Sequence, residues 1–439
     1  MAGGKGTRLA SLNAEIPKPM FPILDKPLLE YQIESLKKSG ITHITLVVGH
    51  LKEIIMEYFG DGKKHGVTID YLEEERPLGT AGALYYLKKE SEDFVLLFGD
   101  LILDIDFSRF LRFHQMHEAL ITLFAHPNAH PYDSDLIITD GDAKVKEILS
   151  KKKERDFYYH NLVNAGVYCV HPKALERITA PEKTDLERDL IAGLIGKDKV
   201  YAYRSTEYVK DMGTPDRLKA VTADMLNGVV SGRSLKQRQR AVFLDRDGTI
   251  NEYVGFLRHV EDFRLLPGVS EAVAKINSSP YLAIVATNQP VIARGEVSFQ
   301  ELEEIHKKME TELGKGGAYL DDLFFCPHHP HKGYEGEIPE LKIDCDCRKP
   351  KTGMLKQAAE KYNIDLSQSW YIGDSTVDIQ TGKNAGMKTV LLKTGQAGSD
   401  GKFDVQPYYI AESLPEAVEH ILSQETSEAI NRKVGENEK

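Results

Sequence analysis

Short apolar runs alternate with stretches of helical period along most of the chain. ITLVVG (44–49), DFVLLFGD (93–100), EALITLFAH (118–126) and AGVYCVH (165–171) have strand length, and PLLEYQIESLKKSG, ending at Gly40, has apolar positions at helical spacing. A second series follows with AVFL (241–244), LAIVATN (282–288), SWYIGDS (369–375) and KTVLLKTG (388–395). Alternation of this kind predicts an α/β protein with two Rossmann-like domains, each a mostly parallel sheet with helices on both faces. TPDRLKAVTADMLNG (214–228) reads as a helix, with Pro215 in its first turn and Gly228 as its stop. VVSGRSLKQRQR (229–240) has no periodicity and reads as a linker. The expected organisation is a domain over 1–228, the linker, a second domain over 241–423 and a polar tail over 424–439.

A length of 439 residues, 41% apolar and 28% charged, agrees with more than one soluble core. The net charge of −11 leaves no basic footprint, which argues against nucleic acid as a partner. No apolar run approaches the roughly 18–20 residues of a membrane span, and no signal-type apolar segment opens the chain, so a cytoplasmic protein is expected. Oligomeric state is left open.

Candidate chemistry concentrates at strand ends. Asp245 and Asp247 follow AVFL directly, and alternate residues of an extended chain point the same way. Two adjacent acids repel unless a cation lies between them or one is protonated, an arrangement suited to phosphoryl transfer with one acid as nucleophile and the other as proton donor. Thr287 and Asn288 close LAIVATN as phosphate donors, and Lys349 in CRKPKTG can neutralise phosphoryl charge. Asp374 supplies a further Mg²⁺ ligand beside Asp245 and Asp247, with Asp378 one helical turn on. Cys326, His328, Cys345 and Cys347 form a C-x-H…C-x-C set with 16 residues between the pairs, suited to a closed, structural Zn²⁺ site. His329 and His331 read as bystanders.

DRDGT, ATN, the lysine and GD together resemble the haloacid dehalogenase (HAD) superfamily over about 242–395. The resemblance implies that Asp245 forms an aspartyl-phosphate, with Asp247 as general acid and then base. CPHHP…CDCRKP with TNQPVIARGE resembles the D-glycero-D-manno-heptose-1,7-bisphosphate 7-phosphatase family, of which histidinol phosphatase is a near relative. By that resemblance Arg294 and Arg348 contact substrate beyond the transferred phosphate. Pro290 departs from the family, where a serine commonly follows TNQ.

The chain opens with AGGKGTRL, in which Gly3, Gly4, Gly6 and Thr7 form a phosphate-type loop and Arg8 can stabilise charge on an α-phosphate. Lys18 lies between two prolines, and LGTAGAL, with Gly79 and Thr80, is a small-residue loop suited to a flat base. Asp100 and Asp211 are acids for a second Mg²⁺, and Asn164 in NAGVY suits sugar hydroxyls. In this order the set resembles the nucleotide sugar pyrophosphorylases over about 2–225, which join a nucleoside triphosphate to a sugar 1-phosphate. Lys151 in ILSKKKE stands where the family usually carries E-K-P. The family normally has an apolar strand before AGG, so a start upstream of Met1 is expected.

The two resemblances interlock. A 7-phosphatase acting on heptose 1,7-bisphosphate yields heptose 1-phosphate, which a nucleotidyltransferase consumes. LGTAGAL leans toward the guanylyl-transferring branch, hence GTP and a GDP-heptose product. The alternatives are the same pair of activities on another sugar, or a non-catalytic N-terminal module attached to a phosphatase.

Overall fold

The computed structural model describes residues 1–3 and 15–424. The chain divides into two compact units. The first comprises Met1–His126, Asp135–Lys153 and Leu162–Lys236; the second comprises Pro127–Ser134, Glu154–Asn161 and the chain from Gln237 onward. No helix among the described residues is long and apolar enough to cross a membrane.

In the first unit β1 (His43–Val48) pairs in parallel with β2 (Thr68–Glu73). Next come β3 (Phe94–Leu97), β4 (Leu101–Asp104), β5 (Ile121–His126), β6 (Leu136–Thr139), β7 (Val145–Leu149) and β8 (Val163–Val170). β9 (Val200–Arg204) and β10 (Tyr208–Asp211) follow, and a short antiparallel pair, Pro22–Ile23 with Lys26–Pro27, precedes β1. β8 is the hub, antiparallel to β3, β5 and β6, while β9 adds to β5 in parallel and β10 pairs antiparallel with β4. The α/β class thus holds here, with β1–β2 and β5–β9 parallel and the other strand pairings of this unit antiparallel.

The backbone of Met1 and Ala2 bridges β1 and β3. Ala2 N donates to Val47 O at 2.8 Å, Met1 N donates to Leu97 O at 2.8 Å, and Gly99 N donates to Met1 O at 2.9 Å. Behind this bridge the two strands part around a cavity of about 450 Å³, lined by Ile44, Leu46, Phe94 and Leu96 and by Ile33 and Leu36 of α1 (Leu28–Lys38).

The second unit is built on β11 (Arg240–Leu244), β12 (Tyr281–Asn288), β13 (Asp322–Cys326), β14 (Trp370–Gly373), β15 (Lys388–Leu392) and β16 (Tyr409–Ala411). They form one sheet in the order β13-β12-β11-β14-β15-β16, and every pairing is parallel. Strands of such a sheet are covered on both faces, which is why β11 is a continuous apolar run: Ala241, Val242, Phe243 and Leu244 are all fully buried. β12 lies on one side of β11 and β14 on the other, so the strand order reverses at β11. Open parallel sheets hold ligands at the carboxyl ends of the strands beside such a reversal. Asp245 is the first residue past that end.

Candidate active sites and zinc-type cluster

β11 delivers Asp245 into a buried group of charges. One oxygen each from Asp245, Asp374 and Asp378 lie within 4.8 Å of one another. Lys349 Nζ is 2.8 Å from Asp245 Oδ1 and 2.6 Å from Asp378 Oδ1. Asp378 is set by a helix start: Ser375 caps the helix Thr376–Asn384, and its N–H and hydroxyl donate to Asp378 Oδ2 at 3.1 and 2.6 Å. This leaves Oδ1 free for the lysine. Asp374 Oδ2 accepts from Gln396 N at 2.7 Å. Gly248 and Gly395 leave room for that carboxylate, since a Cβ on either would fall 2.1 Å from the same oxygen.

Three carboxylates facing one ammonium leave an imbalance of two negative charges. Burial, then Asp378, pushes the Asp245 carboxyl up to about 6, against the pull of Lys349. Burial, then Asp245 and Asp378, pushes Asp374 up to about 8. Burial disfavours the Lys349 ammonium, but Asp245 and Asp378 outweigh it and hold its pKa well above the usual lysine value. Hard oxygen donors with two charges in excess fit a divalent cation of the Mg²⁺ type.

Asp247 stands outside this group. Its carboxylate accepts from Arg246 Nη2 at 3.0 and 2.8 Å, from Gln289 Nε2 at 2.9 Å and from Asn251 Nδ2 at 3.1 Å. Asp378 takes the third place among the acids that the sequence suggested for Asp247. The cause is local: β11 ends at Leu244 and the chain bends at Arg246, whose carbonyl accepts from Ile250 N at 2.8 Å, so the extended geometry that would have aligned the two aspartates is lost between them. Thr287 Oγ1 accepts from Gln289 Nε2 at 3.0 Å, and Asn288 Oδ1 accepts from Lys349 N at 3.0 Å, fixing the end of β12 to the CRKP loop.

Cys326, His328, Cys345 and Cys347 converge. Cys326 Sγ is 3.5 Å from Cys345 Sγ, Cys345 Sγ is 3.2 Å from Cys347 Sγ, and His328 Nδ1 is 3.3 Å from Cys347 Sγ and 3.7 Å from Cys326 Sγ. Tetrahedral Zn²⁺ bonds of about 2.3 Å to sulfur place donors roughly 3.5–3.8 Å apart, so the set is compatible with zinc. Arg348 Nη1 donates to His328 O at 3.1 Å. Arg294 lies 4.2 Å from the Phe256 ring and 4.5 Å from the Tyr334 ring. His329 belongs to this cationic cluster: burial, with Arg348, Arg294 and Lys342 nearby, pushes its imidazole down to about 4.

In the first unit Lys18 Nζ lies 2.5 Å from Asp100 Oδ2, and Asp211 pairs with Arg217. The β10–β4 ladder sets Asp211 opposite Leu101, next to Asp100. Burial would raise Asp211, but Arg217 outweighs it and holds the carboxyl below its usual value. Asn164 Nδ2 donates to Tyr168 Oη and to Glu187 Oε1, both at 2.7 Å. Lys151 follows β7, where its N–H donates to Asp135 Oδ1 at 2.6 Å. Gly79 (φ +77°) and Thr80 pack on a neighbouring loop. A Cβ on Gly79 would fall 2.5 Å from Thr184 O, and Thr80 Oγ1 accepts from Leu186 N at 2.7 Å. Gly3 lies against Gly49 and Glu74. Gly4, Gly6, Thr7 and Arg8 lie outside the described residues.

Residues 1–228 match the nucleotidyl transferase family, and residues 346–417 match a HAD-hydrolase-like family. The D-glycero-beta-D-manno-heptose-1,7-bisphosphate 7-phosphatase of Haemophilus ducreyi is 42% identical over 161 residues, covering 36% of this chain and 86% of that protein. The chain belongs to both families. The mannose-1-phosphate guanylyltransferase of Mycobacterium tuberculosis is 31% identical over 240 residues, covering 54% of this chain and 66% of that protein. A crystal structure of a D,D-heptose 1,7-bisphosphate phosphatase from B. bronchiseptica, complexed with magnesium and phosphate, is 31% identical, covers 42% of this chain and 99% of that one, and has a TM-score of 0.38. This nucleotidyl transferase–phosphatase fusion carries polar groups that the sequence did not single out. Arg217, Glu187, Arg246 and Gln289 each touch a candidate residue, and of these Arg246 alone sits inside a glycine-rich or paired-acid motif. Arg246 had one available signal, its place between the two aspartates of DRD.

Proposed function

We infer that the chain converts D-glycero-D-manno-heptose 1,7-bisphosphate to a nucleotide-activated heptose in two steps. The phosphatase half removes the 7-phosphate, and the transferase half joins the resulting heptose 1-phosphate to the nucleotidyl group of a nucleoside triphosphate, GTP by preference, releasing pyrophosphate. The observation that carries the reading is the Lys349–Asp245 contact at the point where the strand order reverses, in a chain whose other half belongs to the nucleotidyl transferases.

In the first step an Asp245 oxygen attacks phosphorus as the bond to the sugar oxygen breaks, and Asp247 gives its proton to that oxygen. Asp247 then takes a proton from water, which attacks the aspartyl-phosphate and frees Asp245. Lys349, Thr287 and Asn288 hold the phosphoryl oxygens, and Arg294 and Arg348 take the second phosphate. Asp245, Asp374 and Asp378 would hold Mg²⁺, which supplies charge neutralisation at the transferred phosphate. In the transferase half Asp100 and Asp211 are the carboxylates for a second Mg²⁺. Lys18 and Arg8 stabilise phosphate charge, while Asn164 and Lys151 face the sugar phosphate. Zn²⁺ on Cys326, His328, Cys345 and Cys347 is structural. The domain limits 1–228 and 241–423, joined by the 229–240 linker, separate the two activities.

The test supplies the bisphosphate with each nucleoside triphosphate in turn and follows phosphate and pyrophosphate separately. Both products with GTP are expected. Phosphate without pyrophosphate for every base would reduce the N-terminal half to a non-catalytic module.

A further inference from the structure

Arg246 is among the largest fully buried side chains, with none of its surface exposed. Burying a guanidinium costs several kcal/mol unless its donors are met, and here they are spent on Asp247 and its surroundings. Nη2 donates to both Asp247 oxygens and to Gln289 Oε1 at 2.9 Å, Nε donates to Asp247 Oδ1 at 3.2 Å, and Nη1 lies 3.3 Å from His306 Nε2. Gln289 closes the ring, its Nε2 donating to Asp247 Oδ2 at 2.9 Å and to Thr287 Oγ1 at 3.0 Å. Asn251 Nδ2 holds Oδ1 from a third direction at 3.1 Å. A carboxylate fixed at both oxygens by three side chains cannot rotate about its last bond, whereas a solvated turn aspartate needs no such partners.

We propose that Arg246 and Gln289 are positioning residues for Asp247, holding the proton-transferring carboxyl in one orientation and coupling it to the phosphate-binding Thr287. The proposal rests on the phosphatase reading, with Asp247 as acid and then base. In the step concerned the phosphorus–oxygen bond to the leaving group breaks, its electron pair stays on the departing oxygen, and the Asp247 proton moves to that oxygen. An alkoxide needs this proton as it leaves; p-nitrophenolate, stable as an anion, does not.

The experiment compares Arg246→Lys, Gln289→Met and Asp247→Asn on heptose 1,7-bisphosphate and on p-nitrophenyl phosphate, with single-turnover release of p-nitrophenolate read separately. General acid catalysis contributes roughly 10²–10⁴-fold, so a misaimed acid is expected to lower kcat on the sugar ester by about 10–100-fold. KM is expected to stay within about twofold, and first-turnover p-nitrophenolate release to slow by less than about threefold. Equal losses on the two esters would mark a structural role and overturn the proposal, as would unchanged turnover of both. Gln289→Met exchanges one neutral side chain for another and decides alone should Arg246→Lys fail to fold. If Asp247→Asn spares the sugar ester, the phosphatase reading of Asp247 fails, whatever the other two variants do.

Discussion

The ammonium of Lys349 lies 2.8 Å from Asp245 Oδ1 and is anchored from behind by Asp378 at 2.6 Å. A nucleophile held by a cation and crowded by two neighbouring acids, Asp374 and Asp378, has a carboxylate that is oriented but electrostatically costly. Asp245→Asn removes the nucleophile while keeping the shape. Phosphate release is expected to fall by at least about 10³-fold, because no aspartyl-phosphate forms. Pyrophosphate formation from heptose 1-phosphate should persist, and the melting temperature should hold or rise, since one of three mutually repelling buried acids is gone. Separate assays of the two products with a thermal melt check this; joint loss of both activities would refute independent sites.

The same crowding makes cation binding pH-dependent. Asp245 is pushed up to about 6 and Asp374 to about 8, chiefly by burial and by neighbouring acids. Both hold protons at low pH that a Mg²⁺ ion must displace, so binding releases protons and tightens as pH rises through about 6 and again through about 8. Calorimetric titration with Mg²⁺ at pH 6, 7, 8 and 9 should show affinity climbing to pH 8 and levelling above it. A flat profile would mean that these carboxylates are not the ligands.

The four-donor cluster gives a prediction independent of catalysis. Cys326, His328, Cys345 and Cys347 are too closely spaced to be scattered loop residues, and all three thiols are free. The purified chain should carry one zinc per molecule. Structural zinc sites are worth on the order of 10 kcal/mol at neutral pH, so Cys345→Ser should lose the metal and lower the melting temperature of the phosphatase half by more than about 10 °C. Elemental analysis with a thermal melt reads both, and a metal-free chain with an unchanged melt would sink the assignment.

The outcome for particular residues shows what sequence can carry. β11 was legible because AVFL is apolar without alternation, as a strand covered on both faces must be. Cys326, His328, Cys345 and Cys347 were legible because ligand spacing survives in one dimension. The displacement of Asp247 was not: alternate residues face one way only while the strand continues, and the chain bends at Arg246, between the two aspartates. Asp378 replaced it in the acid group because a capping interaction with Ser375 fixed its side chain, a local device with weak sequence specificity. Arg217 and Glu187 were missed for another reason. Each meets its partner only through folding, Arg217 beside Asp211 and Glu187 beside Asn164 across 23 residues.

The cavity between β1 and β3 makes the last prediction. Among the described residues the backbone of Met1 and Ala2 joins the two strands, and behind it lies a cavity of about 450 Å³ whose lining includes Ile44, Leu46, Phe94 and Leu96. A strand rises about 3.3 Å per residue, so five or six added residues would run the length of β1. Each apolar side chain they bury contributes about 1.5–3 kcal/mol, against roughly 1–2 kcal/mol per residue for ordering the backbone, and new ladder hydrogen bonds tip the balance toward stability. A chain extended before Met1 by six valine- and isoleucine-rich residues should therefore melt roughly 5–10 °C higher than the chain beginning at Met1. A glycine–serine extension of the same length should leave the melt unchanged. Differential scanning calorimetry of the three chains separates the outcomes, and equal melts for both extensions would mean that the opening does not accept a strand.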